Sequence, residues 1–75
     1  MMYGLKTSCN GISQVTGRFD NINDAKLAGG LAVYMFVQRF SKIEEFDTDE
    51  GENWCSAKGK NSGFEMRCNV IEIGA

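Results

Sequence analysis

Six carboxylates fall within nine consecutive positions, at Glu44, Glu45, Asp47, Asp49, Glu50 and Glu52, and the chain's only tryptophan, Trp54, follows two residues later. Carboxylates at this density could ligate a cation, work as an acid–base pair, or present a negative surface to a basic partner. An EF-hand loop needs oxygen ligands at its positions 1, 3 and 5, glycine at 6 and glutamate at 12. A loop begun at Asp47 puts Gly51 at position 5 and Lys58 at position 12, and one begun at Glu45 puts Glu50 where the glycine belongs. Neither register binds calcium in that way. A zinc site fares no better, because the chain has no histidine and Cys9, Cys55 and Cys68 are scattered. The sequence therefore implies no metal and no cofactor.

Catalysis is also a poor fit. Without histidine there is no general base poised near neutral pH, and a cysteine nucleophile would need some other activator. The paired carboxylates sit together in what reads as an exposed loop, where little would shift a pKa. The expectation is a protein that is not an enzyme.

The charge layout points to binding. Residues 41–53 hold six acids and one base, net −5, while the rest of the chain holds seven bases and four acids, net +3. The overall charge of −2 hides an acidic end and a modestly basic one carrying Arg18, Lys58, Lys60 and Arg67. Clustered carboxylates can occupy a groove built for phosphates or steer a basic protein surface into place. Trp54 would then serve as an apolar anchor beside them, or else as a core residue. The competing reading is a nucleic-acid module using the hairpin 54–67, where Trp54, Lys58, Lys60, Phe64 and Arg67 interleave bases with aromatics as a stacking platform. A pI near 4.9 argues against phosphate as the main partner.

These residues must be held by a single small domain spanning 1–75. Asn10-Gly11 is a strong hairpin signal between strands at 2–9 and 12–19, with Gly17 marking a bulge or bend. The period then changes. Asn21 or Asn23 caps a helix reaching Phe40, with Asp24 and Arg39 suited to its two ends. Gly29-Gly30 weakens that helix and, with Ala25, Ala28 and Ala32, suggests close packing on a sheet. "SKIEEFD", "NWCSAKGK" and "FEMRCNVIEI" read as three further strands, the last with a bulge near Val70-Ile71 where its apolar alternation flips. The fold class is α+β, ordered ββαβββ: one antiparallel sheet, curved if the glycines bend it, packed on a single helix.

The helix is apolar nearly all round, with Leu27, Leu31, Tyr34 and Met35 on one side and Val33, Phe36, Val37 and Phe40 towards the other. One sheet cannot cover both, so a homodimer through Val33, Phe36, Val37 and Phe40 is expected. An odd cysteine count without a disulfide framework suggests reduced thiols and a cytoplasmic protein. No apolar run reaches the length of a membrane span.

The plan "TGRFDNINDAKLAGG", a strand running into an Asn-rich cap and an alanine-rich helix, with three strands after it, resembles small phage-encoded inhibitors of host defence, anti-CRISPR proteins among them. The resemblance rests on architecture, length and acidic balance, and transfers no residue role. It implies a protein that inhibits a larger, nucleic-acid-handling complex by docking on its basic site.

Overall fold

The computed structural model describes residues 1–74, in the order β1 (Met2–Cys9), β2 (Ile12–Phe19), α1 (Ile22–Phe40), β3 (Phe46–Glu50), β4 (Trp54–Gly59) and β5 (Glu65–Gly74). The five strands form one antiparallel, curved sheet in the spatial order β2-β1-β5-β4-β3, with α1 across one face. This is the α+β class and ββαβββ order expected.

The β1–β2 turn works because both of its residues take positive φ, Asn10 at 54° and Gly11 at 90°, the twist a two-residue hairpin requires. Gly17, at φ 74°, opens the bulge that shifts the β1–β2 register between Tyr3 and Leu5. Asn21 caps α1, its side-chain oxygen accepting from the Asn23 amide at 2.7 Å. Arg39 stands in the last turn, where a positive charge suits the exposed carbonyls.

The core is thin. Ala25, Gly29 and Val33 are the buried positions of α1, and they press on Leu5, Ala57 and Cys68 from β1, β4 and β5. A β-carbon added at Gly29 would lie 3.3 Å from Leu5 Cδ2, so the glycine lets the helix settle onto the sheet. Phe36 extends this core toward the C-terminal end of α1, with ring centroids 5.4 Å from Phe46 and 5.8 Å from Phe64.

Three expectations are corrected here. Val33, Phe36, Val37 and Phe40 are not the uncovered side of the helix: Val33 is buried, and Phe36, Val37 and Phe40 are half-buried. They share the face of Ala25 and Gly29, whose small size brings that side against the sheet. Leu27, Leu31, Tyr34 and Met35 are left outside, 58–73% exposed. The homodimer contact expected of the first set is therefore already occupied by the sheet.

The strand read in "SKIEEFD" begins later. Residues 41–43 form a turn, with the Ile43 amide donating to the Phe40 carbonyl, and pairing starts at Phe46. The acidic stretch is then not a loop; its centre, Phe46–Glu50, is the edge strand β3. Aspartate is a poor strand former in isolation, but an edge strand leaves its carboxylates in water while its backbone pairs.

The bulge in β5 falls between Glu72 and Gly74, opposite Met2-Tyr3, and not at Val70-Ile71. Val70 takes the helix side, and Ile71 and Ile73 follow by simple alternation on the other face. The space over Gly4 is filled by Val15 and Ile73, which makes β5 apolar on both sides at this end.

Candidate functional site

The candidate site is the acidic edge of the sheet. The Lys60 amide donates to the Glu45 carbonyl and the Gly51 amide to the Trp54 carbonyl, each at 2.9 Å. Both pairs continue the β3–β4 register, so Asp47 and Asp49 also turn their backbone groups toward β4. Phe46, Thr48 and Glu50 turn theirs to the free edge. Side chains alternate in the opposite sense: Phe46, Thr48 and Glu50 lie on the helix side, and Asp47 and Asp49 on the open face. Glu45, Asp47 and Asp49 thus share a face opposite Glu44, as strand alternation predicts.

The six carboxylates do different work. Glu44 is an internal clamp. Its oxygens accept from the Ser62 hydroxyl at 2.6 Å, the Ser62 amide at 3.0 Å and the Asn61 amide at 2.9 Å. These donors, the Ser62 hydroxyl first, hold its carboxyl below the usual range. Glu45 and Asp47 are partly neutralised by Lys60, whose Nζ lies 3.3 Å and 3.7 Å from them. The hydrogen bond to Glu45, then the charge of Asp47, pushes the Lys60 pKa up. Asp49 accepts from the amide of Glu50 at 2.9 Å, which removes one donor from the open edge. Asp49, Glu50 and Glu52 are exposed, and among the described residues no cation lies within ion-pair distance of them. The charge available to a partner is concentrated there, toward the β3–β4 turn.

Trp54 is neither core nor free anchor. It lies half-buried on the sheet face that α1 leaves open, with the Arg67 guanidinium 4.2 Å from its ring centroid. Its indole packs on Gly51, where no β-carbon would fit. The ring is at the border of the acidic pole, but one of its faces is taken by Arg67.

The proposed stacking platform of hairpin 54–67 is only partly kept by the fold: Trp54, Lys58, Lys60 and Arg67 share the open face, and Phe64 leaves it. Phe64 stacks on Phe36 beneath the helix, Lys60 is engaged with Glu45 and Asp47, and Trp54 is covered by Arg67. Three cavities flank the site, the smallest, of ≈ 150 Å³, lined by Lys26, Glu50, Glu52 and Trp54 among others. A groove of ≈ 410 Å³ runs between α1 and β3, lined by Gly30, Tyr34, Val37, Thr48 and Glu50 among others. An apolar cleft of ≈ 230 Å³ lies at the end of α1 among Phe36, Phe40, Ile43, Phe46 and Phe64. The groove also holds Cys55 and Ser56 beside Asp49 and Glu50; burial raises the Cys55 thiol pKa, and the charges of Cys68 and Glu50 add to that. Among the described residues no group of three metal-ligating side chains converges, and no helix is long and apolar enough to cross a membrane.

The exposed helix stripe, Leu27, Leu31, Tyr34 and Met35, is legible in the sequence as a group, but apolarity alone does not say which side of α1 meets the sheet. The signal that fixes the choice, Ala25 and Gly29 on the face of Val33, is present in the sequence.

No family model, curated protein or solved structure matches this chain.

Proposed function

We propose that this is a small, non-enzymatic binding protein of the host-cell cytoplasm. It docks the acidic edge of its sheet on a basic site of a larger, nucleic-acid-handling complex and inhibits that complex by occlusion. The observation that carries this reading is the division of labour among the carboxylates. Glu44, Glu45 and Asp47 are spent within the fold, whereas Asp49, Glu50 and Glu52 remain exposed and unpaired at one end of an edge strand. A concentrated, unneutralised negative pole accelerates encounter with a positive surface and penalises wrong partners. The resemblance to phage-encoded inhibitors, anti-CRISPR proteins included, agrees with this mode of action. Three free thiols suit a reducing compartment.

The test is affinity capture of partners from the native host by wild type and by an Asp49→Lys, Glu52→Lys variant, across a salt series. Wild type should retain a nucleic-acid-handling complex at low salt; the variant should lose it while its circular dichroism is unchanged. Equal capture by both proteins overturns acidic docking. Retardation of bare oligonucleotides by wild type would instead favour a nucleic-acid module, although the withdrawal of Phe64 beneath the helix and the pairing of Lys60 with Glu45 and Asp47 argue against it.

A further inference from the structure

The outward stripe of α1 has no role in the fold or in the acidic edge. Leu27 is 73% exposed, Leu31 58%, Tyr34 60% and Met35 60%. At helical spacing these four lie within about 100° of one another. Side chains of this size expose on the order of 500 Å² together, the upper end of what an ordinary monomer leaves open in one patch. We propose that a second copy of this chain covers the stripe, through antiparallel packing of α1 on α1 about a two-fold axis at Leu31.

Self-complementarity selects this occupant. A two-fold contact must match a surface to itself, so each residue needs its complement at the mirrored level of the same helix. With the axis at Leu31, Leu31 meets Leu31 of the second copy. Leu27 then meets Tyr34 and Met35 of the second copy, and they meet its Leu27 in return. At the ends of the stripe, Asp24 in the first turn comes level with Gln38 and Arg39 in the last turn of the other helix. Opposite charges therefore face each other twice, while each also suits the terminus of its own helix. A parallel arrangement would instead set Asp24 on Asp24 and Arg39 on Arg39. Two such patches bury roughly 1,000 Å², the lower bound for a specific interface. The dimer is therefore expected to be reversible and concentration-dependent.

Pairing through the acidic edge is disfavoured, because antiparallel β3 strands would bring Asp47 and Asp49 against their own copies. The helix contact leaves that edge free, so this inference does not depend on the proposed function.

Sedimentation equilibrium over a range of concentration decides it. Wild type should move from monomer to dimer, and Leu31→Glu should stay at 8.3 kDa with unchanged circular dichroism. Asp24→Arg alone should weaken association at least several-fold, and Asp24→Arg with Arg39→Asp should restore it. A wild type that remains monomeric at the highest soluble concentration overturns the proposal, and so does a dimer that Leu31→Glu leaves intact. A dimer that the double charge swap fails to restore overturns the antiparallel arrangement.

Discussion

The Glu44 carboxylate accepts the Ser62 hydroxyl at 2.6 Å, tying the exit of α1 to the turn between β4 and β5 across 18 positions of sequence. Ser62 in turn accepts from the Phe64 amide at 3.0 Å, and Phe64 stacks on Phe36 of the helix. One acidic side chain thus closes a circuit from helix to turn to core. Gly59 is part of it, because a β-carbon there would overlap the Glu44 carboxyl group.

Glu44→Gln should lower the melting temperature at neutral pH by several degrees. The carboxyl of Glu44 is held below its ordinary value of 4.5 in the folded protein. Its contribution is therefore complete above that ordinary value and is lost as pH falls through the lower folded value. Wild type should lose stability over this acid window, and Glu44→Gln should lose less. Thermal melts at a series of acid pH values check it; parallel acid limbs would count against the clamp.

The two adjacent helix glycines should respond in opposite ways. Gly30 is exposed, with nothing within 4 Å of an added β-carbon, so Gly30→Ala should stabilise by about 0.5–1 kcal/mol through helix propensity. Gly29 faces Leu5 Cδ2 at 3.3 Å and the Cys68 Cβ at 3.5 Å, and Gly29→Val should overpack the seam at a cost of roughly 1–3 kcal/mol. Urea denaturation of both variants measures the difference.

Arg67→Ala should expose one face of Trp54 and cost about 0.5–1 kcal/mol. Because Trp54 is the only tryptophan, its fluorescence reports the change directly, as a shift of emission to longer wavelength. An unshifted spectrum would mean that the guanidinium does not shield the ring in solution.

Cys55 and Cys68 are register partners on β4 and β5, both on the helix side. Burial raises both thiol pKa values, with the hydrogen bond to Thr7 partly offsetting it at Cys68. Both thiols should be reduced and slow to alkylate, and Cys9 should react first. Intact mass without reductant, followed by timed alkylation, checks this; a loss of two protons would show a disulfide instead.

Sequence by itself determined the elements whose signals are local. Asn10-Gly11 set the first hairpin, Asn21 the start of α1, and the alternation of Phe64 to Val70 placed β5, because turn geometry, capping and side-chain period act within a few residues. It also determined the electrostatic asymmetry, since six carboxylates in nine positions remain together in any fold. Tertiary structure decided what those residues are for. Glu44 became a clamp and Glu45 and Asp47 partners of Lys60 only because the β4–β5 turn returns beside the end of α1. Phe64 left the basic hairpin for the core because Phe36 offered it a ring. The helix turned Val33 inward and Leu31 outward because Ala25 and Gly29 allow only one side to approach the sheet closely. Hydrophobicity was similar on both sides; close packing, which depends on the partner surface, broke the tie.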